Sequence, residues 1–260
     1  MSCLGERQRA LSVIVPAFNE QDRIGPALDS IVAHLDSGAL DALVGDSWQI
    51  IVVDDGSADG TCALVEAHAQ RRAGIELIRF DSNRGKGAAV RAGMLAATGA
   101  YRLFTDADQS APIEDAARLL VPLVQGEADV ACGSRRDPSR PPDVPQPTGR
   151  RLAASLWTAL ARLLVVRGVR DTQCGFKCLT AEATETVFRR LSADGPTFDV
   201  EMLALCGLEN LRVAEVGVTW RHHPESRIRY DLARSLDVFV ELWRIRRRLR
   251  LRRRVTLRSG

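Results

Sequence analysis

No run of apolar residues in this chain approaches the ~18–20 that a membrane span requires, so no segment reads as a transmembrane helix. The charged opening MSCLGERQRA leads into an apolar stretch that stops at Pro16. That stretch is shorter than the apolar region of a signal peptide, and no small-residue cleavage site follows it, so a cytoplasmic protein is expected. Cysteine pairing signals are also missing. Cys3, Cys62, Cys132, Cys174, Cys178 and Cys206 contain no CxxC pair. The chain is too long to need a disulfide framework, and the Cys174–Cys178 spacing has no second Cys/His pair to make a zinc site. Reduced thiols are expected. Internal repeats are absent, and so is the GxxxxGK[ST] phosphate loop. Acidic residues are absent from 244–260, where nine arginines lie; removing those nine charges from the net +3 leaves −6 for the rest. A mildly acidic body carries a strongly basic tail, which suits nucleic acid, an anionic membrane or plain solvation.

What remains is ordinary globular composition. The 260 residues are 45% hydrophobic and 27% charged, which excludes a disordered or fibrous chain and fits one domain with a small appendage. Short β-branched runs alternate with helical stretches. Strands are predicted at Leu11–Val15, Gln49–Val53, Glu76–Phe80, Tyr101–Thr105, Asp129–Cys132 and about 211–218. Helices are predicted over 20–36, 63–72, 86–98, 112–125, 150–166 and 181–191. The alternation predicts an α/β fold with a mostly parallel sheet covered on both faces, with ligands at the carboxyl ends of its strands. Five of the eleven prolines fall within 137–147, which predicts an exposed loop there. Leu232, Leu236, Phe239 and Trp243 form an apolar stripe ahead of the arginines.

The acidic and glycine-bearing turns fall at the predicted strand ends. Asp54-Asp55-Gly56-Ser57 offers carboxylates to a nucleobase N–H or to ribose hydroxyls; a capped turn is the alternative. Asp106-Ala-Asp108 can converge on one hard divalent cation that bridges to a diphosphate; a solvated turn is the alternative. Asn83-Arg-Gly-Lys86-Gly places a lysine and glycines at a helix start, as a phosphate site or as a capped helix with surface cations. Gly133-Ser-Arg135-Arg136 presents guanidinium forks.

Taken in order, Val13-Ile-Val-Pro-Ala-Phe-Asn-Glu20, Val52-Val-Asp-Asp-Gly-Ser57, Asn83-Arg-Gly-Lys-Gly87, Asp106-Ala-Asp108 and Gly133-Ser-Arg135 strongly resemble glycosyltransferase family 2 over about residues 11–230. Asp171-Thr-Gln-Cys-Gly-Phe-Lys177 and Phe198-Asp-Val-Glu201 resemble the dolichyl-phosphate β-glucosyltransferase branch of polyprenyl-phosphate glycosyltransferases. The resemblance implies a GT-A fold, a nucleotide-sugar donor and inversion at the anomeric carbon. It implies a GT-A catalytic domain over 1–228. Residues 229–260 read from the stripe and the arginines as an amphipathic, arginine-rich helix or tail, which either packs on the domain or anchors at a membrane surface. It places Pro16, Phe18, Glu20, Asp54, Asp55, Lys86 and Asp106 at the donor. It also implies a Mg²⁺ or Mn²⁺ ion at Asp106 and Asp108, with Asp108 the more direct ligand. The acceptor phosphate would lie at Arg135, Lys177 and Arg227, and Asp108, Asp199, Glu201 and Arg135 are the expected catalytic residues. Gln109-Ser110 departs from the commonest form, which has glycine or a Leu-Gln pair there.

For a hydroxyl acceptor, Asp199 and Glu201 would supply a base. A phosphate monoester has a second pKa of ~6 and already carries most of its charge near neutrality, so these acids would then position loops and cations. His222 and His223 read as an exposed loop pair, and Ser226-Arg227 as a short late motif. The expected reaction moves glucose from UDP-glucose to a dolichyl or undecaprenyl phosphate at the cytoplasmic face of a membrane. The rivals are a GDP-mannose or soluble-acceptor transferase and, more remotely, a nucleic-acid-binding protein. The last lacks an aromatic-interleaved basic face, so no nucleic-acid partner is expected.

Overall fold

The computed structural model describes residues 10–136, 169–221 and 243–248. Within them, β1 (Ala10–Ala17), β2 (Ser47–Asp54), β3 (Ile75–Arg79), β4 (Tyr101–Phe104), β5 (Val130–Ser134), β6 (Lys177–Thr180) and β7 (Val213–Gly217) form one sheet in the order β3-β2-β1-β4-β6-β5-β7. Every neighbouring pair is parallel except those of β6, which runs antiparallel between β4 and β5. The helices are α1 (Ile24–Asp36), α2 (Asp41–Val44), α3 (Thr61–Arg71), α4 (Lys86–Ala96), α5 (Ala116–Val124), α6 (Ala181–Phe188) and α7 (Phe198–Leu208). A further helix, α8, spans 243–248.

Strand periodicity sorts the side chains into two cores. Ile14, Ile51, Val53 and Phe104 face α4, α6 and α7, joining Val90, Met94, Val187, Phe188 and Phe198. Val13, Val15, Ile50, Val52 and Leu103 face the other way, onto Ile24, Leu28, Ile31 and Leu35 of α1 and Leu119 and Leu120 of α5. The 3.6-residue spacing of those α1 positions is what turns them all to the sheet. Each such aliphatic, fully buried, contributes about 1.5–3 kcal/mol relative to exposure. The central strands are apolar on both faces, hence the unbroken Val/Ile runs.

The four-residue β6 and the helix α7 extend the predicted set of elements. β6 opens on a lysine, Lys177. The 137–147 loop, the 150–166 helix, His222, His223, Ser226, Arg227, Leu232, Leu236, Phe239 and the boundary at 228 lie outside the described residues. The part of 229–260 that is described departs from the expected stripe. Ile245 is buried in the core with α4, α6 and α7, whereas Trp243 is 54% exposed.

Candidate active site

β1, β2, β3 and β4 are adjacent and parallel, so the loops that follow them open on one edge of the sheet. There they enclose a cleft of about 360 Å³. Pro16, Phe18 and Glu20 come from the end of β1, Asp55 from that of β2, Lys86 from the start of α4, and Asp106 and Asp108 from beyond β4. Side-chain hydrogen bonds stitch the first two loops together. Asn19, held at φ 55°, donates its backbone N–H to Ser57 Oγ at 2.8 Å and accepts from Ala58 N at 2.9 Å. Glu20 N donates to Thr61 Oγ1 at 2.8 Å.

Of the seven residues expected at the donor, six line this cleft, and Asp54 does not. Asp54 is fully buried and accepts from Ser57 N at 3.0 Å, so it is the turn-holding acid of the pair. Asp55 stands on the cleft wall. Its two oxygens accept the backbone N–H groups of Arg84 (2.7 Å) and Gly85 (2.9 Å), which fixes the loop that delivers Lys86. The N–H groups of Gly87 and Ala88 at the start of α4 are taken by the carbonyl of Asp194, at 2.7 and 3.2 Å. These two N–H groups of the helix terminus are therefore already satisfied, and the cation on this wall of the cleft is the Lys86 ammonium.

The Lys86 ammonium pairs with Asp106 Oδ1. Burial would lower its pKa, but Asp106, Asp199 and Asp108 reverse the sign and hold it above its ordinary value. Behind this pair lies a second one, between Lys177 Nζ and Asp199 Oδ1 at 2.5 Å. Lys177 is completely buried, bonded also to the carbonyl of Cys174, and 5.4 Å from the centre of the Phe104 ring. Burial draws the Lys177 pKa down, and Asp199 overrides it, leaving the shift upward. The same burial pushes Asp199 upward against Lys177 and Lys86. Alternating charges thus run from the core to the cleft.

Three of the expected residues have other partners in this geometry. Lys177 has no exposed surface with which to meet an acceptor phosphate, and it holds Asp199 instead. Glu201 is buried beneath the 192–193 loop, accepting from Ser192 N (3.0 Å), Ser192 Oγ (2.8 Å) and Ala193 N (2.6 Å), and it does not line the cleft. Arg135 gives its fork to Asp171, through Nε at 2.7 Å and Nη2 at 2.8 Å, and stacks 4.9 Å over Trp220. Burial would raise the Asp171 carboxyl, yet the Arg135 fork holds it down at about 2. Arg227 lies outside the described residues.

Two features of the cleft were not read from the sequence. Arg23 lines it and reaches Glu20 Oε2 at 3.3 Å. Its signal was present, since a cation at the N-cap of a helix opposes the macrodipole and calls for another reason to be there. The second is Gly175, where a methyl group would lie 2.7 Å from Asp106 Cγ and 2.9 Å from its Oδ1. The bare backbone backs the carboxylate that Lys86 holds from the other side.

Among the described residues no three His, Cys, Asp or Glu side chains converge on a closed metal site. Asp106 and Asp108 instead form an open, two-carboxylate set. The only hydrogen bond to Asp108 among the described residues comes from Ser110 N to Oδ1, at 2.9 Å. Such a set suits a hard cation that completes its shell with water and substrate oxygens. Gln109 between them and Ser110 holds φ 48°, the conformation glycine adopts at least cost, and its Nε2 reaches the Asp106 carbonyl at 3.2 Å.

The fold of this chain is shared with solved glycosyltransferases. Mannosyl-3-phosphoglycerate synthase from Rubrobacter xylanophilus superposes with a TM-score of 0.59 at 21% identity, over 94% of this chain and 75% of that one. A mannosyltransferase from Pyrobaculum calidifontis, solved with GDP-Man and Mn²⁺, gives 0.56 at 21% identity over 84% and 57%. The fold is GT-A, and the protein is a glycosyltransferase. The family model of glycosyl transferase family 2 matches residues 12–188, and the chain belongs to that family. It is 34% identical over 245 residues to dolichyl-phosphate β-glucosyltransferase of Dictyostelium discoideum, covering 91% of this chain and 73% of that protein. Against the human protein of the same name the identity is 32%, over 82% and 67%. The chain spans about two thirds to three quarters of the length of these relatives.

Proposed function

We propose that this protein transfers glucose from UDP-glucose to a polyprenyl phosphate of the dolichyl or undecaprenyl kind, releasing UDP and leaving a β-linked lipid phosphosugar. The relatives named above support the sugar and the acceptor class. The observation that carries the reading is the state of Asp199 and Glu201. Both are buried, one locked to Lys177 and the other to a loop, so neither is placed to deprotonate a hydroxyl. A nucleophile that arrives already ionised fits such a site, and a phosphate monoester with a second pKa of ~6 is one.

Displacement is a single in-line step with inversion. The acceptor phosphate oxygen forms the new bond to the anomeric carbon as the bond to the UDP oxygen breaks, and UDP leaves with the electron pair. Phe18, Glu20 and Asp55 line the cleft where the nucleoside sits, and Lys86 meets the diphosphate charge. Asp106 and Asp108 would hold Mg²⁺ or Mn²⁺, which supplies further charge to the leaving diphosphate.

The lipid acceptor lives at a bilayer, yet no helix among the described residues is long and apolar enough to cross one. In α8, Ile245 anchors to the core while Trp243, Arg244 and Arg247 stay exposed, with Arg247 5.7 Å from the centre of the Trp243 ring. An exposed tryptophan beside arginines suits the interface of an anionic membrane, and we place it at the cytoplasmic face.

A panel of radiolabelled nucleotide sugars, offered to the pure protein with a polyprenyl phosphate in detergent and then extracted into organic solvent, tests the donor. Label from UDP-glucose should enter the organic phase. Entry from GDP-mannose instead would overturn the donor assignment.

A further inference from the structure

Glu201 has no role in the displacement, yet burying its carboxylate is costly, and its compensation comes wholly from the loop above it. Its three hydrogen bonds all fasten Ser192 and Ala193. Among the described residues no lysine or arginine pairs with it. A glutamate serving only to fill space would be replaced by a neutral side chain at no loss, so the tie to the loop is what it supplies.

The next residue of that loop sits on α4. The carbonyl of Asp194 accepts from Gly87 N and Ala88 N, and its carboxylate pairs with Arg91 Nη2 at 2.9 Å. A methyl on Gly85, which holds φ 102°, would approach the Asp194 carbonyl carbon to 3.1 Å, and one on Gly87 would approach Phe198 Cβ to 2.7 Å. No space separates the loop from the first turn of the helix, and Lys86 is the first residue of that turn. On its other side the loop is held by the C-terminal segment. Arg248 Nη1 donates to Ser192 Oγ, and Ile245, one turn earlier, is buried in the core.

We propose that Glu201, Ser192 and Asp194 form a latch that sets the position of Lys86 in the donor cleft, and that Arg248 closes the latch from the C-terminal helix. These are positioning residues: none of them lines the cleft, and each acts through the backbone of α4. The inference rests on the donor reading above and adds to it a route by which the basic C-terminal segment bears on donor binding.

The test is a double-mutant cycle read by titration calorimetry, with UDP-glucose and Mn²⁺ as the probe. Ser192→Ala, Glu201→Gln and Arg248→Ala are each made alone and in a Lys86→Ala background. Alone, each should weaken UDP-glucose binding by about three- to thirty-fold; in the Lys86→Ala background each should add less than about two-fold, because the group they position is gone. Penalties that multiply undiminished in that background, or single variants that bind as the unaltered protein does, would overturn the latch. Should Glu201→Gln fail to fold, Ser192→Ala and Arg248→Ala still carry the cycle, since each removes one bond at the edge of the loop. Failure of the unaltered protein to bind UDP-glucose would overturn the donor reading itself, an outcome distinct from additive penalties.

Discussion

Gly175 lacks a side chain at the place where Asp106 occupies the room one would need. Gly175→Ala drives a methyl into that carboxylate, and Asp106 must move off Lys86. The expected result is a folded protein with thermal stability close to normal, in which the Mn²⁺ concentration for half-maximal transfer rises at least several-fold. Asp108→Ala, at a turn with one backbone bond to lose, should abolish transfer with as little effect on stability. An unchanged metal requirement in Gly175→Ala would show that Asp106 does not take part in holding the cation. Asp171 makes a different kind of claim, on stability. Its carboxyl is held near 2 in the folded chain against an ordinary 3.8. A depressed folded-state pKa contributes stability that is complete above the ordinary value and is lost as pH falls from about 4 through about 2. The contribution is on the order of 2 kcal/mol. Denaturant midpoints of the unaltered protein and of Asp171→Asn should therefore converge as pH is lowered across that window. Parallel curves would mean that Arg135 and Asp171 are not coupled in solution.

Among the elements, β6 and α7 show where the sequence stops being legible. The strands β1, β2 and β4 and the helix α1 carry their period on their surface, because every second or every third to fourth residue must face an apolar core. β6 does not, since Lys177 at its start looks like a solvent residue until Asp199, 22 positions away, is known to sit against it. The partners of Glu201 are only 8 and 9 positions away but lie in a loop with no signature, and the fork of Arg135 is met by an aspartate 36 positions on. Six of the seven residues expected at the donor line one cleft because a strand end fixes where its next residues go. The neighbours of Arg135 and Lys177, expected at the acceptor, are set by the tertiary fold and carry no such signal. The Lys177–Asp199 pair joins β6 to α7, and removing one partner strands the other charge in the core. Lys177→Met should destabilise the protein by about 3–5 kcal/mol, whereas Lys177→Met with Asp199→Leu should recover much of that loss. Equal losses in the single and double variants, measured by chemical denaturation, would contradict a coupled buried pair.

For the whole molecule, the issue is how a GT-A domain meets an acceptor embedded in lipid. Residues 244–260 carry nine arginines, and Trp243 just ahead of them is exposed. Each arginine near an anionic surface is worth about 1 kcal/mol, so the nine together would hold the protein reversibly. Sedimentation with liposomes should rise with anionic lipid, fall as salt screens the charge, and weaken markedly when residues 249–260, which hold five of the nine arginines, are removed. A truncated protein that sediments like the intact one would remove the tail as anchor. Deletion at 248 leaves α8 and its bond to Ser192 in place, so donor binding should survive the same truncation.

The central claim is that the acceptor arrives as its own nucleophile. Radiolabelled UDP-glucose supplied to the pure protein with Mn²⁺, and with either a polyprenyl phosphate or the corresponding free polyprenol, measures it directly. Label should enter the organic phase with the phosphate alone, because neither Asp199 nor Glu201 is placed to take a proton from an alcohol. Glucosylation of the polyprenol at a comparable rate would contradict it.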